Sequence, residues 1–198
     1  MLRVTLLGDF DIRLDGTLVS GVDTPRQQAL LAFLLLHRDA PLPRAHLAYL
    51  FWPDTTEAQA RTNLRNLLHH LRHALPVFDS YVELDGQTLR WRAEAPLSLD
   101  VDEWQDALNA ATKAPPDQGK EALQRAVVLY RGDLLPGCYD DWILPQRELL
   151  RQSYLDALER LVTLLEEARD YRAAVAQAQT LLRADPLSEA GYRRLIRL

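Results

Sequence analysis

The first twenty residues alternate apolar with polar positions, and after residue 24 the period becomes helical. Val4 and Leu6, then Phe10, Ile12 and Leu14, alternate with polar partners as strands do. Gly8-Asp9 and Asp15-Gly16 supply turns, the second a tight-hairpin signal. Leu30, Leu31, Leu34 and Leu35 fit a helix that starts at Pro25 with Thr24 as its N-cap. Residues 39–43, with two prolines, end it. A second helix over 43–51 carries Leu47 and Leu50 and is broken by Trp52-Pro53-Asp54. A third, over 56–75 with Thr55 as its expected cap, has an apolar stripe of Leu64, Leu67, Leu68, Leu71 and Leu75. Two strand-like runs, 81–84 and 88–92, flank Asp85-Gly86-Gln87 as a hairpin.

Small sheet, three helices and hairpin, in that order, are the layout of a winged helix. Residues 93–99, with Ala95-Pro96, read as a linker. Beyond them the pattern is helical over 100–113, 117–130, 142–169, 171–184 and 187–198, with a Gly/Pro loop over 131–139. The helices around Tyr171, Ala174, Ala178, Leu181, Asp185-Pro186 and Tyr192 resemble a tetratricopeptide unit, in which small residues let paired helices approach. Such units need neighbours to bury their faces. With no C-cap before Leu198, the chain is expected to be part of a longer one with further C-terminal domains. The expected fold is mainly α, with an α+β N-terminal part: a winged helix-turn-helix over 1–95, then an all-α tetratricopeptide-like domain over 96–198.

Composition limits what this fold can do. The longest apolar run, 29–36, falls far short of the roughly 20 residues of a membrane span. The N-terminus lacks the basic-then-apolar pattern of a signal peptide, and the single cysteine, Cys138, cannot form an intrachain disulfide. A cytoplasmic setting without membrane contact is expected. Net charge is −5, which does not favour nucleic acid, so any DNA-binding charge must be local.

The third helix is where that charge collects. Residues 61–75 hold three arginines and no acid. Arg61, Arg65, His69 and Arg72 are expected opposite the leucines, with Thr62, Asn66 and His73 beside them. Arginine reads guanine and asparagine reads adenine bidentately, while histidine and threonine reach phosphates or base edges. Arg90 and Arg92 on the hairpin suit a wing at the backbone or minor groove; edge-strand solvation would also account for them. Trp91 between them is expected in the core.

Other chemistry finds little support. His69 and His73 have the i, i+4 spacing of shared metal ligands, but no third ligand stands near in sequence, so no metal is expected. Asp140-Asp141 fits the negative charge favoured at a helix N-terminus. Cys138 lacks a histidine at a recognised spacing. No phosphate loop, dinucleotide fingerprint or hydrolase elbow occurs. Neither an enzyme nor a cofactor is expected.

The chain resembles the Streptomyces-type antibiotic regulatory protein family. The likeness lies in residues 2–8 (LRVTLLG), 24–36 (TPRQQALLAFLLL), 47–54 ending LFWPD, and 60–75 (ARTNLRNLLHHLRHAL). Downstream, Asp100, Trp104, residues 129–137 (LYRGDLLPG), Asp141-Trp142 and Arg147 resemble that family's bacterial transcriptional activator domain. The resemblance implies an OmpR-like winged helix that binds double-stranded DNA at promoter repeats, as a homodimer or in tandem, and recruits RNA polymerase. It implies that Arg61, Asn63, Arg65, Asn66, His69 and Arg72 face DNA. It places Trp52, Pro53, Asp54, Thr55 and Thr56 where such proteins touch polymerase. Residues 1–95 carry ten arginines and no lysine against eleven Asp and Glu, so sequence-independent phosphate attraction should be weak. A protein-interaction module whose winged helix no longer binds DNA stays open as the alternative.

Overall fold

The computed structural model describes residues 1–197, Pro116 and Asp117 by backbone alone. In chain order the elements are β1 (Leu2–Thr5), β2 (Asp11–Leu14), β3 (Thr17–Leu18), α1 (Pro25–Leu36), β4 (Leu42–Pro43), α2 (Arg44–Phe51), α3 (Glu57–Ala74), α4 (Phe78–Tyr81), β5 (Val82–Leu84), β6 (Thr88–Trp91) and β7 (Leu97–Leu99). Then come α5 (Asp100–Lys113), α6 (Pro116–Leu129), a 3-10 turn (Asp141–Ile143), α7 (Leu144–Glu167), α8 (Tyr171–Ala184) and α9 (Glu189–Arg197). Leu198, the last residue of the helix expected over 187–198, lies outside the described residues.

The chain forms two compact units. The first comprises Met1–Leu99 and Leu135–Ile143, the second Asp100–Leu134 and Leu144–Leu198. The first unit therefore takes in residues 96–99 and 135–143 from the range expected to be helical domain.

Two small sheets frame the first unit. One has the order β3-β2-β1-β7, and β7 runs parallel to β1 with Leu2 opposite Leu97 and Val4 opposite Leu99. The stretch read as a linker is thus partly a strand. Asp15 and Gly16 both have positive φ, 49° and 85°, as the two-residue turn between β2 and β3 requires. The other sheet has the order β4-β6-β5; in it Leu42 pairs with Leu89 although Pro43 brings no N–H to the ladder.

Capping fixes where α1 and α3 begin. Thr24 accepts the Gln27 N–H while the Gln27 side chain accepts from the Thr24 N–H, a reciprocal capping box. At α3 the cap is Thr56, which accepts from the Gln59 N–H, and not the expected Thr55, whose hydroxyl instead donates to the Trp52 carbonyl. The core between helices and sheets holds Leu30, Leu31, Leu34, Leu35, Leu47, Phe51, Leu64, Leu71 and Phe78. Trp91 is buried against Tyr81, as its place in the pattern predicts.

Gly21 marks the closest approach in this unit. A Cβ there would lie 2.9 Å from the Cα of Ala74, at the end of α3. Backbone cannot yield as a side chain does, so Gly21→Ala should destabilise the unit by about 1–3 kcal/mol. A chemical-denaturation midpoint equal to that of the native chain would contradict this.

Residues 135–143 run over the first unit as a strap. The Leu135 N–H donates to the Leu6 carbonyl at 2.9 Å. Arg26 donates to both carboxylate oxygens of Asp140, at 2.8 and 2.7 Å. Trp142 meets Phe33 edge-on, with ring centroids 5.0 Å apart, and Phe51 at 6.2 Å. Asp140 and Asp141 stand at the start of the 3-10 turn as expected, the Asp140 carbonyl accepting the Ile143 N–H, and the Asp140 side chain is in addition an ion-pair partner. Cys138 is buried in the strap.

The second unit is built from the helices α5 to α9. Its core sets small residues against leucines, with Ala111, Ala157 and Ala174 beside Leu123, Leu161 and Leu165. Asp170 caps α8 through the Ala173 N–H. Tyr130 stacks on Tyr154 at 4.2 Å and donates its hydroxyl to Asp133. Burial first, and then Asp133, pushes the Tyr130 phenol well above the ordinary tyrosine range. No described helix is long and apolar enough to cross a membrane.

Candidate nucleic-acid interface

Helix α3 has a dry side and a wet one. Ala60, Leu64, Leu67, Leu68 and Leu71 are buried, and Arg61, Arg65, Asn66, His69, His70, Arg72 and His73 are exposed. The leucine stripe expected from the sequence is therefore the packed face.

The exposed side chains differ in their engagement. Arg61 pairs with Glu57 one turn earlier. Arg72 donates to Asp79 of α4 at 2.7 Å. Asn63, half-buried, accepts from Gln59 at 2.8 Å, and the Thr62 hydroxyl donates to the Ala58 carbonyl. The side chains of Arg65 and Asn66 have no partner among the described residues. His69 and His73 meet edge-to-face with centroids 4.4 Å apart. Among the described residues no group of three or more His, Cys, Asp or Glu is placed to hold a metal ion.

Beside α3 lies a groove of about 580 Å³ lined by Arg61, Thr62 and Arg65, by Arg44 at the start of α2, and by Gly86 and Gln87 of the hairpin turn. Three guanidinium-bearing side chains thus share one hollow. Sequence reasoning missed Arg44. Its signal was faint: a single arginine after Leu42-Pro43, brought into place only because β4 pairs with β6. The Arg44 N–H donates to the Gln87 carbonyl at 2.8 Å and its guanidinium to the Asp85 carbonyl at 3.1 Å, which ties α2 to the hairpin.

The hairpin turn is itself well fastened. The Asp85 carboxylate accepts from the backbone N–H groups of Thr88 and Gln87 and from the Thr88 hydroxyl. These bonds, the Thr88 N–H foremost, hold its carboxyl below the usual aspartate range. On β6, Arg90 is exposed and stands opposite Glu83 of β5. Arg92 is half-buried just past the strand, its N–H donating to the Tyr81 carbonyl. Neither lines the groove with Arg44.

The segment expected at polymerase is a compact turn between α2 and α3. Trp52 is half-buried, 6.1 Å from the Phe51 ring and with the Arg26 guanidinium 5.6 Å over it. Pro53, Asp54, Thr55 and Thr56 are exposed.

Comparisons with known proteins agree with this architecture. The family model described as "Bacterial transcriptional activator domain" matches residues 99–197. The chain is 31% identical over 193 residues to the Regulatory protein AfsR of Streptomyces coelicolor, covering 95% of this chain and 19% of AfsR. Identity to AfsR of Streptomyces griseus is 29% over 192 residues, with the same coverage. Identity to the Transcriptional regulatory protein EmbR of Mycobacterium tuberculosis is 28% over 142 residues, covering 68% of this chain and 36% of EmbR. The chain thus spans about a fifth of AfsR and about a third of EmbR. A solved structure, Mycobacterium tuberculosis EmbR in complex with low affinity phosphopeptide, superposes with a TM-score of 0.79 at 23% identity over 99% of this chain and 54% of that one. That likeness bears on the fold, a winged helix followed by tetratricopeptide-like helices. With half its length matched by the family model and its relatives being named regulators, the chain belongs to the bacterial transcriptional activator domain family and is homologous to AfsR and EmbR.

Proposed function

We propose that this chain is the DNA-binding and activating part of a transcription regulator. In this reading α3 enters the major groove of double-stranded DNA at promoter repeats. The β5–β6 hairpin lies beside it, and the turn from Trp52 to Thr56 meets RNA polymerase. The observation that carries the reading is the open face of α3. It is a two-sided helix with a fully packed back, an uncommitted Arg65 and Asn66 on its exposed side, and Arg44, Arg61 and Arg65 converging next to the hairpin turn. Helices of this kind present base-reading side chains to the groove while flanking cations hold phosphates.

The experiment is recovery of genomic fragments by the purified chain, read by sequencing at low and moderate salt. A repeated motif upstream of genes should be enriched, and Arg65→Ala should weaken its recovery roughly tenfold with the fold intact. A folded sample that enriches nothing at low salt would shift the reading to a protein-interaction module. The ion pairs that engage Arg61 and Arg72, together with the even charge balance of residues 1–95, would then be its explanation.

A further inference from the structure

The division of labour on α3 follows from the angles at which its side chains leave the helix. At about 100° per residue, Arg61, Arg65 and Arg72 leave roughly 70–115° from the centre of the buried stripe, all on one side. Thr62, Asn66, His69 and His73 leave roughly 145–175° from it, directly away from the core. The three arginines are therefore not the crest of the exposed face, as the sequence alone had suggested. They form one of its flanks.

The surroundings of that flank agree. Arg61 and Arg65 line the same hollow as Arg44 and the hairpin turn, and farther along Arg72 reaches Asp79 of α4. The crest has no carboxylate on it, and Asn66 has no partner among the described residues. A helix lying in the major groove points its crest at base edges and its flanks at the two phosphate walls, which stand at either side of the groove.

We infer, resting on the DNA-binding reading above, that sequence is read by the crest, with Asn66 reading an adenine and His69 the neighbouring pair, whereas Arg44, Arg61, Arg65 and Arg72 form a phosphate rail along the hairpin side. Asparagine donates to adenine N7 and accepts from its N6 amino group, a pairing no other base pair offers in the major groove. His69 follows Asn66 by three residues, so the two lie on adjacent turns of one face. The rail fixes register and strength without regard to sequence. Arg61 and Arg72 can leave their exposed carboxylate partners at little cost.

The test is selection from a randomised duplex library with the full chain and its variants, followed by binding measurements across a salt series. Circular dichroism and melting of each variant control for folding. Asn66→Ala should erase the preference for adenine at one position, lowering affinity for the best site by about 10- to 100-fold while leaving the salt dependence unchanged. Arg61→Ala, Arg65→Ala and Arg72→Ala should each weaken all sequences alike, keep the preferred bases, and reduce the salt slope by about one. The assignment is overturned if Asn66→Ala keeps the native preference, or if an arginine variant changes the preferred base. A native chain that binds no duplex at low salt would instead overturn the DNA-binding reading, and this assignment with it.

Discussion

Leu68→Asp should leave the first unit without a cooperative unfolding transition at room temperature. Leu68 is 5% exposed and sits in the stripe that α3 turns inward with Leu64, Leu67 and Leu71. Removing a buried leucine costs about 2–5 kcal/mol. Putting a carboxylate in its place adds several more, because a group buried there must either stay desolvated or take up a proton. Together these match the 5–15 kcal/mol by which domains are ordinarily stable. The same aspartate two residues earlier, at Asn66, points to solvent and should shift stability by no more than about 0.5 kcal/mol. Amide exchange separates the two variants. Core amides of α1 and α3 lose protection in the first and keep it in the second. Native-like protection in Leu68→Asp would mean that the packed face of α3 is misidentified, and the crest and flank defined from it would fall too.

The helices were legible because each writes its own period. Leu64, Leu67, Leu68 and Leu71 announce an inward face within one segment, and Thr24-Pro25 announces a start. What was not legible depends on partners distant in sequence. Leu97–Leu99, an apolar-polar-apolar triplet just after Ala95-Pro96, is too short to announce a strand until β1 offers it a parallel ladder more than ninety residues away. Leu42–Pro43 looks like the end of a helix, since proline argues against a strand, yet one residue beside an edge is enough to pair with Leu89. That pairing places Arg44 in the groove, so the error in the fold and the residue missed at the site have one cause. Composition pointed to Arg61, Arg65 and Arg72 as the front of α3, whereas their angles from the buried stripe set them on its side. Thr55 and Thr56 are equally good caps by type, and only the backbone geometry after Trp52 chooses between them.

The strap gives the second large effect. Trp142→Ala should destabilise the first unit by about 2–3 kcal/mol, although residue 142 lies more than forty residues beyond that unit's last strand. The indole fills the space beside Phe33 and Phe51. Truncating a fully buried tryptophan costs about 3–5 kcal/mol, and half-burial of this one lowers the figure. Its Nε1 has no hydrogen-bond partner among the described residues, so the loss is one of packing alone. Asp140→Asn tests the other half of the strap. It keeps the shape but removes the charge facing Arg26, an interaction partly open to solvent and worth about 1 kcal/mol or less. The ordering also bears on the turn proposed to meet polymerase, because Arg26 lies over Trp52, where that turn begins. If the aromatic contact anchors the strap, Trp142→Ala lowers the denaturation midpoint of the first unit well below that of Asp140→Asn, and the Trp52 indole resonance shifts in both. Equal midpoints for Trp142→Ala and the native chain would show that residues 135–143 lie on the first unit without supporting it, and that residues 1–99 carry its stability alone.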